Sequence, residues 1–204
     1  RPVDGKVLEG PEYETIFAMG PNCAIDDHDT IIRMSLLCDE YGIDTISAGA
    51  VVGFVMEMYQ KGLVSERDLD GIAPRWGDCG AALALVEKMA KVEGCGEWLS
   101  EGVAKIAERF PEAAPFAMHV KGLEMPGYHP NRAKGMALGY AVSERGACHL
   151  RGAPLTEVLG GDGLVGMAVC RRLLEHRPAS LVVASLRREE AEAGAAELRA
   201  AFPS

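Results

Sequence analysis

No two cysteines stand in a C-x-x-C spacing, no lysine follows Lys134, and no apolar run nears bilayer-spanning length. Each shortage excludes something. The six cysteines (Cys23, Cys38, Cys79, Cys95, Cys148 and Cys170) are scattered, which matches neither a zinc nor an iron–sulfur pattern. Such spacing favours reduced thiols in a cytoplasmic protein, and the plain reading is that they are small buried hydrophobes. A spanning helix needs about 18 or more consecutive apolar residues, so no membrane segment is expected, and no signal peptide opens the chain. A basic stripe is missing too. Net charge is −9, so nothing displaces counterions from a polyanion, and nonspecific nucleic-acid binding is excluded. The chain opens on Arg1 rather than Met, which suggests a trimmed or partial sequence.

What is present suffices for a packed core. The 204 residues are 48% hydrophobic and 25% charged, which is ordinary for a globular chain of one large domain, or one domain and a fragment. The charge is uneven. Residues 161–204 hold six acids and six arginines, leaving 24 of the 30 acids and 15 of the 21 bases to residues 1–160, where the whole −9 resides. Together with the loss of lysine, this step marks a seam near 160/161.

Residues 1–25 carry Gly5, Gly10, Pro11, Gly20 and Pro21, too many breakers for a long element, and read as irregular. A helix follows, capped by Asp26 or Asp27, with Ile31, Met34, Cys38 and Tyr41 at helical spacing and Gly42 as its stop. A second helix is expected over roughly 50–61, and Ser65 with Asp68 resembles a capping box. A third helix starts after Trp76-Gly77-Asp78 and stops at Gly94. A fourth carries Leu99, Val103, Ile106 and Phe110 until Pro111 forbids it. Phe116 to Val120 reads as extended. Residues 131–143 look helical despite Gly135 and Gly139, whose spacing suits a close backbone or flat ligand. The expected fold class is mainly α, with a short C-terminal βαβ-like piece.

Asp39-Glu40-Tyr41-Gly42-Ile43-Asp44 sets two carboxylates around a glycine turn. A pterin presents an amino group and a ring N–H side by side, and one carboxylate accepts both. The competing reading is a helix stop followed by a capping aspartate. Three other stretches occur in order with this one: Gly10-Pro11-Glu12-Tyr13-Glu14-Thr15, Ala117-Met118-His119-Val120-Lys121-Gly122-Leu123-Glu124 with Pro126, and Arg145-Gly146-Ala147-Cys148-His149-Leu150-Arg151-Gly152.

Together these stretches resemble the tungsten-dependent aldehyde ferredoxin oxidoreductases, over roughly residues 8–160. The resemblance implies oxidation of aldehydes to carboxylic acids at a tungsten (or molybdenum) bis-pterin with no protein ligand to the metal, so no metal-ligating residue is assigned. It implies a [4Fe-4S] cluster, ferredoxin as acceptor and a small aldehyde as substrate, and it leaves a homodimer open. Asp39, Gly42, Ile43 and Asp44 fall on the family's pterin-holding turn, with Ile43 where Leu is usual. Glu14 and His149 fall on its active-site glutamate and histidine, as base and donor. Arg151 would pair with cofactor phosphate or an acidic substrate; Glu14 as a surface acid and His149 as a core histidine are the bland alternatives, and His119 is another histidine candidate. The family's cluster cysteines and second pterin motif are not found in these residues. The isolated chain is therefore expected to hold at most half of the cofactor and to be inactive.

The tail reads differently. Val158-Leu159, then Gly161, Gly163 and Gly166, resembles a dinucleotide-binding turn, and Ser185, Arg187 and Arg188 after a second strand suit the 2′-phosphate of NADP. Residues 161–204 resemble the opening of a saccharopine-dehydrogenase-like reductase. Two domains are expected: 1–160, and a partial Rossmann segment at 161–204. The competing functions are an NADP-binding module and a non-catalytic fragment.

Overall fold

The short linker between two capped helices organises the structure. Helix α2, His28–Tyr41, starts at Asp27, whose carboxylate accepts the Thr30 N–H at 2.8 Å. It ends at Gly42, which sits at φ +70 in left-handed space that glycine enters without steric cost. The Gly42 and Ile43 N–H groups both donate to the Cys38 carbonyl, closing a Schellman turn. Two residues later Asp44 caps helix α3, Thr45–Gln60, by accepting the Ser47 N–H at 2.8 Å. Asp78 does the same for α4, Cys79–Lys91, through the Ala81 N–H. Each such cap contributes about 1 kcal/mol by satisfying an end donor.

The computed structural model describes residues 10–131, 133–150 and 188–201. They belong to two compact units, one comprising Arg1–Gly127 with Glu144–Cys148, the other Tyr128–Ser143 with His149–Ser204. The architecture is mainly helical, as expected.

In the first unit α3 is the central helix. Val51, Val52, Gly53, Phe54, Val55 and Met56 are buried in succession, so it has no wet face. Around it pack α1 (Tyr13–Met19), α2, α4 and α6 (Val103–Arg109). A short helix α5, Gly96–Leu99, precedes α6. Met56 and Met58 are fully buried, and removing each from water is worth roughly 1.5–3 kcal/mol. The α1–α3 crossing is backbone against backbone. A Cβ built on Gly49 would lie 2.4 Å from the Ala18 carbonyl oxygen, so only glycine fits there.

A two-stranded antiparallel hairpin completes this unit. Strand β1, His119–Val120, pairs with β2, Leu123–Glu124, in the register His119↔Glu124 and Val120↔Leu123. In the second unit the described elements are α7, Lys134–Val142, and a C-terminal helix, Arg188–Ala201.

Several sequence expectations are corrected. Residues 1–25 are not wholly irregular: α1 and a 3-10 turn, Pro21–Cys23, lie there, held by docking on α3 rather than by local propensity. Helix α3 begins at Thr45 and not near 50, because Asp44 supplies the cap. No helix follows Ser65; its N–H and hydroxyl both donate to Asp68, closing a turn. The fourth helix is broken in two at Gly102, φ +88. Pro111 starts a 3-10 turn, Pro111–Phe116, so the extended run shrinks to β1. At Gly139 a Cβ would meet nothing within 4 Å among the described residues outside its own helix. Among the described residues no helix is long and apolar enough to cross a membrane. The expected strands at 157–159 and 180–184, the glycine turn and the 160/161 boundary lie outside the described residues.

Candidate functional site

Four of the predicted residues share one turn. Asp39 is exposed on the last turn of α2, Gly42 and Ile43 make the bend, and Asp44 is exposed at the cap of α3. Ile43 is half-buried and packs on the core, which anchors the bend. Gly42 faces open space, with nothing among the described residues within 4 Å of where its Cβ would be. The capping reading and the pterin reading of Asp44 are therefore compatible: one oxygen serves the Ser47 N–H, while the carboxylate stays at the surface. The turn is electronegative. Cys38 beneath it has its thiol pushed up to about 12, first by burial and then by the charges of Asp39 and Asp44.

Glu14 lies on the first turn of α1 in the same unit. Its Oε2 accepts the Gly127 N–H at 2.8 Å, and the neighbouring Tyr13 hydroxyl donates to the Gly127 carbonyl at 3.2 Å. The first bond orients the carboxylate, and the second holds the Gly127 residue that makes it. The next residue ties α1 to the 39–44 turn: Thr15, buried, shares a 2.8 Å hydrogen bond with Thr45, the first residue of α3 after Asp44. Glu14 and Asp44 are thus the direct neighbours of two hydroxyls bonded to each other.

Sequence reasoning quoted Glu124 but gave it no role. It is 5% exposed, and both its oxygens are engaged. Oε1 accepts the Val103 N–H at 2.8 Å, capping α6 from a distant strand, and Oε2 accepts the Ser47 hydroxyl at 2.8 Å. Ser47 donates its own N–H to Asp44, so Glu124 reaches the turn through one residue. Thr15–Thr45 and Glu124–Ser47 are bonds spanning 30 and 77 residues, and no local pattern announces them.

His149 belongs to the second unit, half-buried, with its ring centroid 6.1 Å from that of Tyr128. His119 sits in β1, its Nδ1 accepting the Gly122 N–H at 3.3 Å, a hairpin contact. Arg151, Gly161, Gly163 and Gly166 lie outside the described residues, and so does the NADP expectation. Among the described residues no three His, Cys, Asp or Glu side chains gather as a metal would require. The described cysteines are free thiols: Cys23, Cys38, Cys95 and Cys148 are buried, and Cys79 is half-buried.

This arrangement can accept hydrogen bonds at an exposed, glycine-opened turn, with an oriented carboxylate on the adjoining helix. Residues 1–195 match the family described as aldehyde ferredoxin oxidoreductase, domains 2 & 3. The chain belongs to this family. Among its relatives is a tungsten-containing aldehyde ferredoxin oxidoreductase of Pyrococcus furiosus, 43% identical over 156 residues, which are 74% of this chain and 25% of that protein. Its namesake in Thermococcus kodakarensis is 42% identical over 158 residues, 76% of this chain and 26% of that protein. A third relative, an aliphatic sulfonate oxidoreductase WOR-like subunit of P. furiosus, is 35% identical over 162 residues, 76% of this chain and 26% of that protein. The chain spans about a quarter of the length of these relatives. The family match runs to residue 195, past the position of the expected seam.

Proposed function

We propose that this chain is the segment of a tungsten (or molybdenum) pterin oxidoreductase that holds one pterin and supplies acid–base groups for oxidising an aldehyde to a carboxylic acid. The observation that carries the reading is the 39–44 turn, open at Gly42 and bonded through Thr45 to the helix that bears Glu14. Its donor set fits the group. Asp39 and Asp44 offer carboxylate oxygens to a pterin's amino and ring N–H groups, and no side chain at Gly42 bars a flat ligand. When bound, the metal–pterin group supplies the two-electron redox centre.

The chain's own residues supply the rest. The Gly127 N–H on Oε2 holds Glu14 in one orientation, as a base that takes a proton must be held. His149 acts as the donor that polarises the substrate carbonyl, and Arg151 pairs with an anionic group. Ferredoxin is the electron acceptor, through a [4Fe-4S] cluster whose cysteines do not occur in these residues. The tail from 161 onward is a separate, partial NADP-type segment in this reading.

The test uses the enzyme carrying this segment, purified anaerobically. Wild type should contain pterin and tungsten or molybdenum in fixed ratio, measured by fluorescence of the oxidised pterin and by elemental analysis. Asp39→Asn together with Asp44→Ala should lower pterin retention at least tenfold, while Glu14→Gln keeps the pterin and loses turnover. Full pterin content in the double variant would sink the reading.

A further inference from the structure

A short run of chain, Glu124-Met125-Pro126-Gly127, joins two parts of the first unit that the local motifs leave separate. Glu124 at the end of β2 accepts the Ser47 hydroxyl through Oε2, and Ser47 donates its N–H to Asp44. At the far end of the run, Gly127 donates its N–H to Glu14 and accepts the Tyr13 hydroxyl. One end is thus bonded towards the 39–44 turn and the other to the base of the proposed reaction. Three peptide steps span at most about 11 Å, so the ends stay close.

The run is held at both ends and stiff between them. Glu124 is 5% exposed, and its Oε1 accepts the Val103 N–H, so it cannot turn away without orphaning a buried donor. A cap for α6 alone needs only one oxygen, and a side chain at the N-cap position ordinarily supplies it. Here Gly102 occupies that position, at φ +88, and a Cβ on it would lie 2.8 Å from Oε1. The acceptor comes instead from β2, and its second oxygen goes to Ser47. At the other end a Cβ on Gly127 would lie 2.8 Å from the Phe17 ring, so the backbone there is seated on α1. Between them Pro126 is buried, with φ fixed by its ring, and it disfavours helical backbone at Met125.

We infer that Glu124 is a positioning residue for Glu14: through Ser47 it ties the 39–44 turn to β2, and through Met125-Pro126 it sets where the Gly127 N–H meets the Glu14 carboxylate. The inference rests on the proposed aldehyde reaction, in which Glu14 is the base. Glu124 itself touches neither cofactor nor substrate. The grip on the pterin and the placing of the base are thereby linked, and loosening at Ser47 is felt at Glu14.

Glu124→Ala also strips the cap from α6, so the test uses its neighbours. Ser47→Ala removes the Oε2 contact and leaves the Val103 bond, while Pro126→Gly leaves both bonds and frees the bridge. In the chain of residues 1–204, each variant should accelerate amide exchange at Gly127 about tenfold and leave Ala81, capped by Asp78 on α4, unchanged. In the whole enzyme, turnover is expressed per bound pterin. Ser47→Ala should lower this kcat about tenfold or more with KM for the aldehyde within about twofold, because ångström-scale misplacement of a catalytic group costs up to about a hundredfold. Ser47→Thr keeps the hydroxyl and should return kcat to within about twofold of wild type. A role confined to stability would lower folded protein and pterin content together and leave kcat per pterin at the wild-type value. That result, or unchanged Gly127 exchange in both variants, overturns the inference. Full turnover in Glu14→Gln overturns the proposed reaction instead, and Gly127 exchange still decides the linkage.

Discussion

Replacing Glu124 by Ala removes a side chain that is hydrogen-bonded to both α3 and α6. Two hydrogen bonds to a carboxylate disappear, at the Val103 N–H and the Ser47 hydroxyl, each 2.8 Å long. Hydrogen bonds to a charged group contribute about 1.5–3 kcal/mol each, and the buried Val103 N–H is left without its acceptor. The expected loss is therefore about 3–5 kcal/mol, a large share of the roughly 5–15 kcal/mol that holds a typical domain folded. At about 2–4 °C per kcal/mol for a chain of this size, melting should fall by roughly 10 °C. Glu124→Gln separates shape from charge. Its carbonyl can still accept from Val103 and its amide can donate to the Ser47 hydroxyl, so less than half the loss is expected. The assay is thermal and urea unfolding of all three proteins, with amide exchange read at Val103 and Ser47. Exchange at both should accelerate in the Ala variant, because Ser47 also carries the Asp44 cap. A Glu124→Ala protein within about 1 kcal/mol of wild type would refute this account, since surface changes alone stay near that range.

Three further predictions follow from single contacts. Gly49→Ala puts a Cβ against the Ala18 carbonyl, so it should destabilise by about 1–3 kcal/mol or more through overpacking and loosen α1, seen as lower helix content and faster exchange at Thr15. At pH 8 an alkylating reagent should label Cys79 before Cys23 and Cys38, whose thiols burial pushes up to about 12; stability should then fall as pH rises above 9.0, where unfolded thiols ionise and these two do not. Asp70 is held below its usual 3.8 by the Cys95 N–H and then by Lys88, so its contribution is present above that pH and lost as pH falls through the lowered value. Asp70→Asn should accordingly lower the melting temperature at pH 6 and converge with wild type as pH falls through the lowered value, measured by calorimetry across the acid range.

The helices that close with aspartate and glycine were legible because their signals are local. Asp27, Gly42 and Asp78 act within three or four residues of their own positions, and the chain shows those neighbours directly. Helix α1 was not legible. Seven residues are too few to display a period, and its stability comes from a crossing at Gly49 that sequence spacing cannot reveal. The broken fourth helix failed for a similar reason. Gly102 was visible, but the carboxylate that makes a fresh start at Val103 tolerable comes from 21 residues later.

The candidate site divides along the same line. Asp39, Gly42, Ile43 and Asp44 are contiguous, so one motif brings them together and the structure keeps them so. What holds that motif against Glu14 is a pair of threonines 30 residues apart, and what holds it against the hairpin is Ser47 with Glu124. Threonine and serine hydroxyls carry no sequence signature of their own. Yet they decide whether two carboxylates on different helices keep a fixed relation. A site that must grip a rigid flat ligand at one end and orient a base at the other needs that relation to be stiff to a fraction of an ångström. If the proposed function holds, the hydroxyl bonds at Thr15–Thr45 and Ser47–Glu124 position the site's carboxylates without touching the ligand.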